Sequence, residues 1–99
     1  MRGHYALSPR AQEDLDDIWD YTAKRWGIDQ AEFYTRQIGR HVEAVAAQPM
    51  MGRACSDVRA GYYHYPSGSH VLFYRLVGDG IDIVRILHER MDFVRHLTG

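Results

Sequence analysis

Five residues of this 99-residue chain could do chemistry together. His88 and Glu89 adjoin in "RILHERMDFVRHL" (residues 85–97) and could serve as acid and base. Arg53, Arg59 and Arg85 could supply the cations that an anionic phosphorane requires. That set suits cleavage of a phosphodiester without a metal. The same residues have a plainer use: His88 can be a rim histidine bonded to backbone or to a carboxylate such as Asp92, and Arg90 can pair with Glu89 or Asp92 at the surface. In a regular strand Arg85 and Leu87 would share one face and His88 would turn to the other, so the spacing does not by itself assemble a reaction centre.

Other chemistries lack their patterns. His4, His41, His64, His70, His88 and His96 contain no i, i+4 pair, and Cys55 has no Cys or His near it in sequence, so neither a metal nor a cofactor is expected. No serine sits in a nucleophile-elbow context. The formal net charge is −1 and Lys24 is the only lysine. Proteins that hold nucleic acid through its phosphates show a marked basic excess, which is missing here. Arginine in place of lysine favours planar, bidentate contacts with carboxylates, and the balance points to a protein partner.

The elements that must position these residues are legible. "HYALS" reads as a short strand. Residues 8–27 read as a helix, with Ser8 as cap, Pro9 in the first turn and Gly27 at its end. Its stripe is Ala11, Leu15, Ile18, Trp19, Thr22 and Trp26, and both tryptophans are expected to be buried. A second helix starts at once, with Asp29 and Glu32 as a capping-box-like pair and Pro49 as its stop. Its stripe is Ala31, Tyr34, Ile38, Val42, Val45 and Ala46, and the short connection makes an antiparallel hairpin.

"VRAGYYHYP", "SHVLFYRLV" and "IDIVRIL" read as strands joined by turns at Ser67–Gly68 and Gly78–Gly80. The middle one is apolar on both faces, so it is central and covered twice. The hairpin covers one face. "MDFVRHL" is the expected cover for the other, and it is short enough to leave an apolar groove open. The fold class is α+β: β-α-α-β-β-β, one domain over residues 1–99, a helical hairpin on an antiparallel sheet and a short C-terminal helix. No apolar run approaches the ~20 residues of a membrane span, "MRGHYALSP" has no signal-peptide core, and a lone cysteine suits a reducing cytoplasm.

"YALSPRAQEDLDDIWDYTAKRWG", "QAEFYTRQIGRHVEAVAAQPMMGR", "GSHVLFYR" and "IDIVRILHERMDFVRHL" resemble, in order and over nearly the whole chain, the ParE toxins of the RelE/ParE superfamily. The resemblance implies the toxin of a type II toxin–antitoxin pair that binds DNA gyrase and blocks replication. A ParD-type antitoxin would neutralise it in a hetero-oligomer, and operator DNA would be reached only through that antitoxin. Leu15, Ile18, Trp19 and Ile38 are then expected to form the core and the walls of the antitoxin groove, with Arg75 and Arg85 meeting antitoxin carboxylates. Arg90, Arg95 and His96 are expected at the target contact. The alternative is the ribosome-dependent mRNA cleavage of RelE relatives, carried by Arg53, Arg59, Arg85, His88 and Glu89. It fits less well, because residues 49–99 contain no lysine.

Overall fold

The computed structural model of the chain describes residues 3–56 and 58–98. Strand β1 (Tyr5–Leu7) leads into helix α1 (Pro9–Trp26) and helix α2 (Ile28–Ala47). A 3-10 turn (Pro49–Met51) precedes β2 (Arg53–Ala54), β3 (Tyr63–Ser67), β4 (His70–Val77) and β5 (Gly80–His88), and the short α3 (Phe93–Thr98) follows. The sheet runs β1-β5-β4-β3-β2. All its pairings are antiparallel except β1 with β5, which is parallel. The α+β class and the order of elements are as expected, with a two-residue edge strand, β2, that is too short for any periodicity to reveal. No helix among the described residues is long and apolar enough to cross a membrane.

Residue chemistry explains the helix ends. The Ser8 hydroxyl accepts the Ala11 amide at 3.0 Å, the N-cap expected of it. Gly27 alone joins the two helices. Its φ of 100° strains any residue with a Cβ, and its amide donates to the Ala23 carbonyl while its carbonyl accepts from the Ala31 amide. Because Gly27 is the N-cap of α2, with Ile28 already helical, Asp29 lies inside the first turn and the expected capping box does not form.

The hairpin lies on one sheet face. Ala11 and Ala31 are both fully buried, and Ala11, Ile18, Ile38, Val42 and Val45 meet Leu72, Tyr74, Ile81, Ile83 and Ile86. Tyr74 is buried with its hydroxyl satisfied, donating to the Pro49 carbonyl at 2.6 Å. That hydroxyl abuts Gly52, where an added Cβ would collide with it, so Pro49 and Gly52 serve one buried tyrosine. On the second face Phe73 and Leu87 are buried beneath Leu97 and Phe93 of α3. Cys55, Val58 and Tyr62 complete this second cluster. Cys55 and residues 58–62 are therefore a cover beside α3, rather than the strand and open face that the sequence suggests. The last third of β4 stays uncovered, with Leu76 and Val77 exposed where both faces were expected to be apolar and buried.

The decisive irregularity is in β5. Between Phe73 and Tyr74 the partner residue steps from Arg85 to Ile83, a bulge that leaves Val84 unpaired. The groups it frees are taken by α1 and its cap. Ser8 Oγ donates to the Val84 carbonyl at 2.9 Å, and Asp14 Oδ2 accepts the Ile86 amide at 2.9 Å. The bulge also breaks strand alternation. Arg85 turns to α1, where its Nε and NH2 reach the two Asp14 oxygens at 2.8 and 2.9 Å, while Leu87 joins the second face. Arg85 and Leu87 thus part company, and Arg85 comes to share the helix side with His88, while Leu87 and His88 still alternate.

Both partners of the Asp14–Arg85 pair are 13% exposed. Removing one member of such a pair strands the other, at a cost of about 3 kcal/mol or more. Asp14→Ala is therefore expected to lower unfolding free energy in urea by about 3 kcal/mol. Asp14→Asn, which keeps an acceptor for the Ile86 amide, should lose less. A change below about 1 kcal/mol for Asp14→Ala would show that the pair does not anchor α1.

Candidate functional site

The groove that this scaffold leaves open runs along α1 at the end of the sheet where β4 starts and β5 finishes. It consists of two adjoining cavities of about 330 and 270 Å³ that share Tyr21, Thr22, His70 and His88. Toward the helix connection it continues to Trp26, Gln30 and Tyr34. Toward the start of α1 it continues to Ile18, Asp17 and Met91. Tyr21 and Trp26 are 61% and 62% exposed, and their rings meet edge to face at 6.2 Å. Large aromatic surface left in water beside concave apolar walls is the make-up of a protein-binding site.

The floor is a polar relay. The Ser69 amide donates to the Tyr34 hydroxyl at 2.9 Å, and the hydroxyl lies 2.7 Å from His70 Nδ1. Burial, reinforced by the neighbouring His88, lowers the pKa of His70 to about 4, against the opposing pull of Glu89 and Asp14. The ring is neutral at pH 7 and shares one hydrogen bond with the tyrosine hydroxyl. His70 and His88 face each other edge to face at 5.2 Å, as register partners in β4 and β5. His88 Nδ1 accepts the Arg90 amide at 3.1 Å, the rim role that the sequence suggests for it.

The expected site residues divide. Leu15 and Ile18 belong to the core cluster, and Ile18 also reaches the groove. Ile38, at 1% exposure, has no surface to offer a partner and is core alone. Trp19 is half-buried and lines neither cavity, whereas Trp26, expected in the core, is a wall of the groove because α1 outruns the sheet there. The guanidinium of Arg85 is turned inward to Asp14 instead of toward a partner's carboxylate. Arg75 bonds Asp82 at 3.4 Å in the uncovered part of β4, five residues or about 16 Å along the strand from His70, so it does not join the groove. Arg90, Arg95 and His96 are exposed around α3.

The five residues of the cleavage set do not converge. Arg59 donates to the Leu97 carbonyl on the second face and stacks on Tyr62, Arg53 sits on the edge strand opposite His64, and Arg85 is paired inside. Only His88 lines the groove, with Glu89 exposed beside it. The residues that reasoning from sequence missed are Tyr21, Tyr34, His70 and Met91. No count along the hairpin finds the pair: counting outward from the Gly78–Asp79 turn sets His70 against Leu87, and only the bulge at Val84 brings it opposite His88.

Residues 5–93 match the family model described as "ParE toxin of type II toxin-antitoxin system, parDE". The chain belongs to the ParE toxin family. The Toxin ParE1 of Mycobacterium tuberculosis is 52% identical over 98% of this chain and its own full length, and the Toxin ParE1 of Caulobacter vibrioides is 48% identical over 94% of this chain and 96% of its own. Among solved structures, the chromosomal ParDE TA system from P. aeruginosa matches with a TM-score of 0.75 at 21% identity, covering 85% of this chain and 92% of that one. The YoeB-YefM complex from Staphylococcus aureus matches with 0.58 at 18%, covering 89% and 98%. The ParE fold thus accounts for the scaffold, and the groove is what this ParE chain builds on it.

The floor makes a pH prediction. A folded-state pKa for His70 of about 4, below the ordinary 6.5, means that the unfolded chain binds more protons between those values. This contribution to stability is full above pH 6.5 and is lost as pH falls toward 4. Denaturation midpoints measured across that range should decline, and His70→Gln should flatten the decline. An NMR titration of His70 with a midpoint near 6.5 would contradict the assignment.

Proposed function

We propose that this ParE-type toxin poisons DNA gyrase by protein–protein binding, so that replication stops, and that a ParD-type antitoxin neutralises it by seating a segment in the aromatic groove. The observation that carries the reading is the groove: an open, aromatic-walled concavity whose central titratable group, His70, is neutral and whose nearby arginine is consumed by a structural ion pair. Such a surface is suited to apolar anchors from another protein. Acid–base work on an RNA phosphodiester would require a base, an acid and cations around one point, and here the cations are dispersed over two faces and an edge of the sheet. Family membership supports the antitoxin pairing. Arg90, Arg95 and His96, exposed beyond the groove, are the proposed target contacts.

A supercoiling assay with purified toxin tests the class. Gyrase should be inhibited, and the antitoxin encoded with the toxin should restore it. The combined substitution Arg90→Ala, Arg95→Ala and His96→Ala should abolish inhibition yet leave antitoxin affinity within about twofold, as expected for separate surfaces. Unimpaired gyrase at excess toxin, with mRNA cut in a translating extract, would overturn the proposal in favour of the RelE-type reading.

A further inference from the structure

Helix α3 is six residues long, too short to hold its shape alone, and it carries two of the three proposed target contacts, Arg95 and His96. Where those side chains stand therefore depends on what holds α3. Phe93 and Leu97 hold it from below, with the Phe93 ring 4.8 Å edge to face from that of Phe73. The Asp92 carboxylate accepts the Arg95 amide at 3.2 Å and caps the start of the helix. Its end is held from outside: Arg59 Nη1 donates to the Leu97 carbonyl at 2.6 Å. The last carbonyls of a helix lack intrahelical partners and favour a cation, so this bond acts where α3 is weakest. The chain builds a mount for that one guanidinium. It stacks 5.2 Å from the Tyr62 ring centre. The Arg59 amide donates to the Cys55 carbonyl at 2.9 Å, and the Arg59 carbonyl accepts the Tyr62 amide at 3.2 Å. The Cys55 amide in turn donates to the Tyr62 carbonyl at 2.8 Å, and Cys55 is buried. Arg59 itself is exposed, so its side chain adds little to the core. What its head group fixes is the last turn of α3.

We infer that Arg59 is a positioning residue for target binding: it sets the last turn of α3, and through it the orientation in which Arg95 and His96 meet the target. The inference rests on the reading of those two residues as target contacts and adds to it the residue that presents them. A helix already held in its bound geometry loses less freedom on binding, so affinity for the target gains from the hold without any contact by Arg59 itself. The proposed antitoxin groove lies on the other side of the sheet, so antitoxin affinity does not depend on the hold. Lysine could reach the same carbonyl but lacks the planar head that stacks on Tyr62, so it replaces the hold only in part.

Three forms of the full chain test this: wild type, Arg59→Ala and Arg59→Lys. Amide exchange reads the hold, a supercoiling assay reads the target, and titration with the antitoxin reads the groove. In Arg59→Ala the α3 amides should exchange about tenfold faster while those of β4 keep their protection. About tenfold more of this variant should be needed to half-inhibit gyrase, the factor expected from one hydrogen bond to a charged group. Arg59→Lys should recover part of both, and antitoxin affinity should stay within about twofold in each variant. Unchanged α3 exchange in Arg59→Ala would overturn the inference, because the bond would then hold nothing. Faster α3 exchange with full inhibition would overturn it as well and leave the gyrase reading intact. Loss of β4 protection or of antitoxin affinity would make Arg59 a general support of the fold and end the positioning role. Failure of the wild-type chain to inhibit gyrase would overturn the target reading and the inference with it.

Discussion

Asp14 is the hinge of this structure. One carboxylate holds a bidentate arginine and the backbone amide that the β5 bulge sets free, and it does so from the second turn of α1. Ser8 makes the complementary tie, capping the same helix while its hydroxyl takes the Val84 carbonyl and its amide takes that of Ile83. The helix is thereby fixed to the strand at one place and in one register. With its beginning clamped to β5, α1 must run out past the end of the sheet, so that Tyr21 and Trp26 overhang a gap they cannot close. The open groove follows from the clamp.

The opposite face shows why the rest of the sheet is not also open. Leu97 and Phe93 lie over Phe73 and Leu87, and Arg59 secures the arrangement by donating to the Leu97 carbonyl while it stacks on Tyr62. An arginine in a position that could have served phosphate chemistry is a strut for the C-terminal helix. The same is true of Arg85 on the helix side. Two of the three arginines that look reactive in the sequence hold the fold together.

Much of this was legible in the residues. The helix bounds at Ser8, Pro9 and Gly27 follow from capping and from glycine's freedom at positive φ, and the hairpin turns follow from glycine at residues 68 and 78. The core positions Ile38, Val42 and Val45 follow from helical spacing. What was not legible depends on the bulge. Period-two alternation assigns Arg85, Leu87 and His88 to faces that one extra residue rearranges, and nothing local in "DIVRIL" announces that residue. Spacing places Trp26 in the core stripe because it reports which stripe a residue belongs to, but not where the opposing sheet ends. Likewise Cys55, Val58 and Tyr62 show no period, because residues 58–61 run through turns and only the fold brings the three together. The stretches that carry the family resemblance gain a physical meaning here: Ser8 and Asp14 clamp α1, and Pro49 and Gly52 accommodate Tyr74.

The central claim is that the partner occupies the overhang between Tyr21 and Trp26. The chain's two tryptophans make this directly measurable. In an NMR titration of the labelled toxin with its antitoxin, the indole N–H of Trp26 should shift strongly, together with the Met91 methyl, whereas the indole of Trp19 and the amides around Arg75 should hold still. A large shift at Arg75 and Asp82 with Trp26 unmoved would place the partner at the other end of the sheet and contradict the account.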